Sequence, residues 1–240
     1  MMEYYKIMDE YLKETQILNF SEKKIQELIQ NHKWIDLEEV ARVKSIYDYV
    51  RDEIQFGYNS ADDLTALEVL NDGYGQCNTK ANLLMALFRT TGIPCRLHGF
   101  YVDKILQKGI ISGIFYALTP KDIVHSWVEV FVNDHWYVLE GVILDKAYLT
   151  GLQKKFSHVK NDFCLWGVCV ENFEKPVIDW DLNHTYIQSK SITKDLGTFQ
   201  SPDEFYTKHQ QKLGAFKIFL YQNFVRHILN RNVEKIRKGV

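Results

Sequence analysis

The sequence predicts an α+β fold in which helices pack on an antiparallel sheet. Apolar residues recur at helical spacing through residues 3–91. After Pro94 the spacing changes to the period of two that is typical of strands, and from Asp203 onward it returns to helical spacing. Helices that come before and after a run of strands favour a sheet of antiparallel hairpins over a parallel sheet with crossover helices.

The first part of the chain is predicted to be helical. Residues 3–18 place apolar side chains at helical spacing, and these are Tyr4, Ile7, Met8, Tyr11 and Leu12. A second short helix follows Ser21. Asp36 and Glu39 have the spacing of a capping box, which predicts that a third helix begins there. A short apolar-periodic piece covers residues 64–70.

A turn with two glycines precedes the next helix. Gly73 and Gly75 are one residue apart, which indicates an unusual backbone path. Residues 79–91 then have helical spacing, and Pro94 follows their end. Cys77 is therefore predicted to lie at the N-terminus of a helix.

The middle of the chain is predicted to supply the sheet. Valine and aromatic residues alternate there with polar ones, and Asn133-Asp134 predicts a two-residue turn. The predicted strands cover residues 95–102, 123–132 and 135–139, with 165–170 as a further candidate.

Two segments are open to more than one interpretation. Residues 103–123 form a long connection with an apolar middle, which is either a lid or acyl pocket, or an extra core helix or hairpin. Residues 203–237 are predicted to be mostly helical, and they either cap the domain or bind a partner. Their apolar side carries Phe216, Phe219, Leu220, Phe224, Ile228 and Leu229.

Composition excludes several classes of protein. With 240 residues, 46% of them hydrophobic, the chain has globular composition. A net charge of −2 favours neither a nucleic-acid nor a membrane partner. Four cysteines suit a reducing compartment, and residues 1–16 lack the features of a signal peptide, so a cytoplasmic location is expected. We expect a single domain over residues 1–240.

Within that domain, the predicted parts are a helical N-terminal extension at 1–34, a core at 35–150 and a mixed, then helical, part at 151–240. No CxxC or HExxH zinc pattern, EF-hand loop, phosphate loop or dinucleotide fingerprint occurs in the sequence. No metal or cofactor is therefore expected. Of the other cysteines, Cys95 is predicted to be buried in a strand, and Cys164 and Cys169 are predicted to be core residues.

Cys77 is the candidate nucleophile. A free thiol is mostly protonated at neutral pH, and a helix N-terminus and a nearby imidazolium both favour the reactive thiolate. A backbone N–H at the same turn can donate to an oxyanion. An oxyanion hole also needs a second donor. The candidates are three residues that come before Cys77 in the chain, Tyr58, Gln55 and Asn71, and Tyr58 is preferred.

His125 is the candidate base, because it lies on the less apolar face of the predicted strand 123–132. A two-residue turn pairs Trp127 with Glu140 across the hairpin, and this brings Glu140 diagonally beside His125 on the same face. Glu140 is then suited to orient the imidazole. A three-residue loop would favour Asp145 instead.

Four segments resemble the transglutaminase-like superfamily, in particular its small microbial members. They are Tyr74-Gly75-Gln76-Cys77, Gly92-Ile93-Pro94-Cys95-Arg96, His125-x-Trp127-Val128-Glu129 and Trp136-x-x-x-Glu140. The resemblance implies a papain-like fold with Cys77 as nucleophile, His125 as base and acid, and Glu140 as the orienting carboxylate. The family usually has Asp in the third place, often followed by Pro-Thr. Glu140 therefore reaches by another rotamer, or Asp145 substitutes for it, or the triad is impaired.

These residues predict acyl chemistry on an amide or thioester through a thioester acyl-enzyme. Hydrolysis of a peptide, protein or small amide is the preferred interpretation, and Tyr74, Gln76 and Trp127 are the predicted substrate-binding residues. One alternative is transfer of the acyl group to an amine. The other is a binding domain that keeps the fold without catalysis.

Overall fold

The computed structural model describes residues 8–239. The predicted helix at 3–18 therefore lies partly outside the described residues, and the prediction is wrong at 11–18, which form turns and irregular chain. This segment is held by contacts distant in sequence: Asp203 accepts a hydrogen bond from the backbone N–H of Ile17 at 3.1 Å. Ile17 and Leu18 are buried in the core.

Four helices follow in the first half of the chain. They are α1 (Lys23–His32), α2 (Glu39–Asp52), α3 (Ala66–Asp72) and α4 (Cys77–Thr90). The predicted capping box at Asp36 is wrong, because Asp36 belongs to a 3₁₀ turn (Trp34–Asp36) and α2 begins without a side-chain cap. Nearly all of α4 is buried, and this makes it the central helix of the core.

A four-stranded antiparallel sheet packs against α4, which confirms the predicted fold class. Its strands are β3 (Cys95–Asp103), β4 (Asp122–Val132), β5 (His135–Val138) and β8 (Ile192–Phe199), in the order β5-β4-β3-β8. Two short strands, β1 (Gln55–Phe56) and β2 (Tyr74–Gly75), form a separate parallel pair next to the start of α4. The sequence did not indicate β8.

The hairpin between β4 and β5 has the predicted register. Phe131 pairs with Trp136 across a two-residue turn whose residues have φ of 50° and 60°. The predicted pairing of Trp127 with Glu140 is wrong, because β5 ends at Val138 and residues Glu140–Ile143 form a 3₁₀ turn. The chain therefore leaves the sheet after Val138, before Glu140 could pair with Trp127.

The connection at 103–123 contains a 3₁₀ turn (Lys104–Gln107) and the short helix α5 (Gly113–Leu118). Farther on, residues 163–170 form a hairpin of β6 (Phe163–Leu165) and β7 (Val168–Val170) rather than one strand. Cys169 is buried in a small core cluster and Cys164 packs against it, as predicted, but the disulfide between the two across this hairpin was not predicted. No local pattern indicates this bond, because the pairing follows from the turn at Trp166-Gly167, where both residues have positive φ.

Helix α6 (Lys146–Lys155) follows the 3₁₀ turn at Glu140–Ile143 and was not predicted. The segment predicted to be mostly helical, 203–237, is so, with a break at 209–214. Its elements are α7 (Pro202–Lys208), α8 (Ala215–Leu220), a π-helical turn (Tyr221–Val225) and α9 (Arg226–Arg237). Leu229, Val233 and Ile236 are buried in the main core, so α9 packs on the rest of the chain. Phe216, at 72% exposure, and Phe219 and Phe224 face outward, contrary to the single apolar side predicted.

Within residues 8–239, no helix combines the length and apolar character needed to cross a membrane. The proposed boundaries at 1–34, 35–150 and 151–240 stay predictions.

Candidate active site

Cys77 is the first residue of α4, so the helix N-terminus lies directly at its thiol. The backbone reaches this point through Gly73, which has φ of +70° at the end of α3, and through Gly75. A Cβ at Gly75 would come within 2.7 Å of Thr79 Oγ1, so only glycine allows this close approach. Thr79 Oγ1 also accepts a hydrogen bond from the Gln76 N–H at 3.0 Å, which fixes the start of the helix.

Asn78 ties the start of α4 to the strand that carries His125. Its Nδ2 donates to the Val124 carbonyl at 3.1 Å, and its Oδ1 accepts from the Ser126 hydroxyl at 2.9 Å. These two partners flank His125 in β4, and both Asn78 and Ser126 are buried. Sequence reasoning missed this role, because the only available signal was a polar residue next to Cys77, in a helix whose first turns carry several other polar residues.

His125 is completely buried between Cys77 and Glu140. Its Nε2 lies 3.1 Å from Glu140 Oε1. Its Nδ1 meets no partner at bonding geometry in residues 8–239 and is the ring nitrogen left for the Cys77 sulfur. Burial disfavours the imidazolium, but the neighbouring Cys77 and Glu140 outweigh it and raise the pKa of His125 to about 10.

Glu140 is also completely buried, and its second oxygen is fully occupied. Glu140 Oε2 accepts backbone hydrogen bonds from Ile187 at 2.8 Å, Gln188 at 3.0 Å and Ser189 at 3.0 Å. Three donors on one oxygen stabilise a buried carboxylate and fix its orientation toward His125. The sequence could not predict these donors, because they are backbone groups in a loop 47 to 49 residues away.

Asp145, the alternative third member, is engaged elsewhere. Its Oδ1 accepts from the Tyr148 N–H at 2.8 Å, which caps α6, and its Oδ2 accepts from the Phe56 N–H at 2.8 Å. Arg237 forms an ion pair with the same carboxylate at 2.8 Å. Burial alone would raise the pKa of Asp145, but Arg237 and these N–H groups hold it below its usual value. The structure therefore brings Glu140, and not Asp145, to His125.

A cavity of about 440 Å³ opens beside Cys77, in the size range of small-molecule sites. The 103–123 connection supplies one wall through Leu106, Gln107 and Ile111. The C-terminal helices cover the opposite side, and their lining residues are Tyr206, Ile218, Tyr221, Gln222, Val225 and Leu229. Both segments that the sequence left open to interpretation therefore contribute to the space in front of the thiol.

The predicted oxyanion donor Tyr58 lines this cavity. Its hydroxyl donates to Gln107 Oε1 at 2.8 Å, and burial, followed by the charge of Cys77, raises its pKa. The other two candidates lie apart from the cavity: Gln55 is exposed, and Asn71 is exposed and accepts a hydrogen bond from Lys24.

The three predicted substrate-binding residues are divided. Gln76 lines the cavity, and its Oε1 accepts from the Asn59 N–H at 2.9 Å. Tyr74 packs over Gly57 and lies outside the cavity wall in the part of the chain that the structure describes. Trp127 lies on the opposite face of the sheet from Val128, where its ring packs 4.0 Å from that of Phe100.

Cys95 provides a contrast with Cys77. It is completely buried, and burial raises the pKa of its thiol to about 11. Two of the four cysteines are therefore free, and only Cys77 of this pair lines the cavity. Among residues 8–239, no cluster of His, Cys, Asp and Glu could hold a metal ion.

Comparison with known proteins finds a match to one family model. The family model of the transglutaminase-like superfamily matches residues 27–141. Among solved structures, a "putative cysteine protease" from Cytophaga hutchinsonii is 14% identical with a TM-score of 0.46, and the match covers 82% of this chain and 48% of that one. Red sea bream transglutaminase is 17% identical with a TM-score of 0.30, over 55% of this chain and 26% of that one.

This chain therefore spans about half the length of the first of these proteins and about a quarter of the second. No curated protein matches the sequence. The family match covers the segment that contains Cys77, His125 and Glu140, and it ends before Asp145.

Proposed function

Residues 27–141 form a transglutaminase-like core, and from this premise we propose that the chain hydrolyses an amide through a thioester formed on Cys77. The observation that carries the proposal is the buried position of His125 between Cys77 and Glu140. A buried imidazole paired on both sides holds a proton where a reacting amide needs one.

In the first step the Cys77 sulfur attacks the amide carbonyl carbon. His125 gives its proton to the leaving nitrogen, the C–N bond breaks, and a thioester with the acyl group remains on the sulfur. In the second step His125 takes a proton from water as the water oxygen attacks the thioester. The S–C bond then breaks and releases a carboxylic acid.

The remaining groups orient and stabilise this sequence of steps. Glu140 holds the ring of His125 and balances its positive charge. The backbone N–H of Cys77 is at the first turn of α4, where such groups have no acceptor within the helix, and it is the proposed first oxyanion donor. Tyr58 is the proposed second donor, and its hydroxyl must turn from Gln107 to reach the oxyanion.

The direct test compares the wild type with Cys77→Ala and Cys95→Ala. Iodoacetamide should label Cys77 much faster than Cys95, and turnover of an amide should be lost in Cys77→Ala but kept in Cys95→Ala. Equal labelling of the two thiols, or turnover that survives Cys77→Ala, would contradict the proposal. A product that contains an added amine in place of water would identify acyl transfer instead of hydrolysis.

A cytoplasmic location is also a proposal. It has to accommodate the Cys164–Cys169 bond, since most cytosolic proteins keep their thiols reduced. Mass spectrometry of the chain alkylated in intact cells would determine the state of this pair, and cell fractionation would determine the compartment.

A further inference from the structure

The described part of the cavity wall carries carboxylates but no Lys or Arg. Asp62 and Asp63 both line it, and His125 is the one lining group there that carries a positive charge. This imidazole already pairs with Cys77 and Glu140. A carboxylate on a substrate would enter this space without a partner, which is costly, whereas a cation would find one.

Asp62 is the carboxylate that is built into the wall. Its Oδ1 accepts a hydrogen bond from Gln76 Nε2 at 3.0 Å, which ties it to the residue just before Cys77. Within residues 8–239, the cation that acts on Asp62 is the imidazolium of His125, which already pairs with Cys77 and Glu140. Burial raises the pKa of Asp62, and hydrogen bonds from Gln76 and Asn78 and the charge of His125 offset this rise only in part. An ammonium group of a ligand would supply a counter-ion that is not shared with other groups.

Tyr206, on α7, adds a second polar group to the same wall. Its side chain is 5% exposed, and its hydroxyl lies near Asn82 but outside bonding geometry, so neither the Tyr206 hydroxyl nor Asn82 Oδ1 has a hydrogen bond within residues 8–239. Tyr206 lines the same cavity as Asp62 and Cys77, and burial, followed by the charges of these two residues, raises the pKa of its hydroxyl. A buried hydroxyl without a partner is destabilising, and a ligand that provides one removes that cost.

We infer, building on the proposed function, that the acyl donor carries a protonated primary amine, whose ammonium group lies between Asp62 and Tyr206 while its amide carbonyl lies at Cys77. An ammonium has three N–H donors, which suit the lone pairs of a carboxylate and of a hydroxyl. The substrate class is thus the amino-terminal end of a short peptide, or an amino-acid amide. Its apolar side chain would pack on the apolar walls, which include Ile111, Val225 and Leu229.

The first experiment needs no knowledge of the natural substrate. It measures the rate at which Cys77 is modified by aminoethyl methanethiosulfonate, a cation, and by sulfonatoethyl methanethiosulfonate, an anion. Each rate is divided by the rate with 2-mercaptoethanol, and modification of Cys77 is read from its peptide by mass spectrometry. The normalised rate with the cation should be about ten times the normalised rate with the anion. A tenfold ratio corresponds to ~1.4 kcal/mol, and the electrostatic effect of a carboxylate within a few ångströms of the thiol exceeds that.

Asp62→Asn removes the charge but keeps an oxygen that can accept from Gln76, so it should fold normally. It should lower the ratio about fivefold or more, and Asp62→Glu should retain most of it. Asp63→Asn is the matched control, because Asp63 is the exposed neighbour whose charge is screened by water. A ratio near one in the wild type, or an equal fall in both Asn variants, would overturn the assignment to Asp62.

The second experiment compares a dipeptide p-nitroanilide that has a free amino group with its N-acetylated form. The free amine should have the higher kcat/KM by about tenfold, and Asp62→Asn should remove this preference chiefly through KM. Equal kcat/KM values in the wild type would contradict the inference. So would incorporation of the free amine into the product, because Asp62 would then bind the acceptor and not the acyl donor.

The two proposals fail in different ways. If Cys77 reacts no faster than Cys95 with the neutral reagent iodoacetamide, the proposed function fails. If Cys77 is highly reactive but does not distinguish the charged reagents, only the amine site fails.

Discussion

The short segment 140–145 has a buried carboxylate at each end, and the surroundings of the two differ. Glu140 bonds to the imidazole of His125 and to three backbone N–H groups of the 187–189 loop. Asp145 caps α6 and pairs with Arg237 of the last helix. One carboxylate faces a group that can gain and lose a proton, and the other faces a cation that is permanently charged.

This difference separates a chemical role from a structural one. A carboxylate held by backbone donors keeps one oxygen for the imidazole and can stabilise its charge as that charge changes. A carboxylate held by a guanidinium joins two distant parts of the chain and has no oxygen left for a reaction. The partners of each carboxylate therefore favour Glu140 for the triad, although the family usually has Asp in this place.

Glu140→Gln should have the largest effect on turnover. The amide can still accept from the 187–189 loop, but its NH₂ group then faces His125 Nε2 and favours the tautomer that keeps the proton on Nδ1. In that tautomer the imidazole cannot accept a proton from Cys77, and kcat should fall on the order of 10³–10⁴-fold, as for the corresponding change in serine proteases. Thermal unfolding should show that the variant is folded. An unchanged kcat would remove Glu140 from the mechanism.

Asp145→Asn should affect stability more than chemistry. Asn can still cap α6, but the partly buried Arg237 loses one of its two ion pairs and keeps the one with Glu234, so the free energy of unfolding should fall by about 1–3 kcal/mol. Urea unfolding measures this, and kcat per folded molecule should stay close to the wild-type value. A fall in kcat as large as that of Glu140→Gln would mean that Asp145 holds the third place.

The contribution of Asp145 to the free energy of unfolding should depend on pH. Because the pKa of Asp145 in the folded protein lies below its usual value of 3.8, its stabilising contribution is present above that pH and is lost as the pH falls below it. The free energy of unfolding of the wild type should therefore fall more steeply toward acid than that of Asp145→Asn.

The pH profile of turnover tests the other carboxylate. His125 has a pKa of about 10, raised from its ordinary 6.5, so activity should persist to alkaline pH and decline as the imidazolium loses its proton near pH 10. The raised pKa of His125 also contributes to the free energy of unfolding; this contribution is complete below about pH 6.5 and is lost as the pH rises through about 10.

In Glu140→Gln the alkaline limb of the turnover profile should move down by about one pH unit or more, because the negative charge beside His125 is gone. Asp145→Asn should leave the limb in place.

The sequence could predict the features that depend on neighbouring residues. Cys77 at a helix start follows from the glycines and the helical spacing around it, and the β4–β5 register follows from a two-residue turn. It could not predict features built from distant backbone. The donors to Glu140 are 47 or more residues away, and Arg237 lies 92 residues from Asp145. The turn after Val138, which replaced the predicted pairing of Glu140, likewise has contacts distant in sequence: the Thr185 N–H donates to the Val138 carbonyl, and the Gly141 N–H donates to Thr185 Oγ1.

The smallest expected effect concerns the Cys164–Cys169 bond, which acts on Glu140 only indirectly, through the 187–189 loop. The β6–β7 hairpin contacts the 187–189 loop, since the Cys169 N–H donates to the Ile187 carbonyl at 2.8 Å and Gln188 Nε2 donates to the Gly167 carbonyl at 2.6 Å. Closing so short a loop is worth about 2 kcal/mol at most in the chain-entropy account.

The double variant Cys164→Ser, Cys169→Ser should therefore lose up to about 2 kcal/mol in the free energy of unfolding. Its kcat should fall by less than about tenfold, because the hydrogen bonds between hairpin and loop come from backbone and Gln188, which stay in place. Treating the wild type with a phosphine reductant should reproduce both values, while leaving those of the double variant unchanged. If reduction lowers kcat as far as Glu140→Gln does, the disulfide holds the 187–189 loop in position, and the hairpin belongs to the machinery that orients His125.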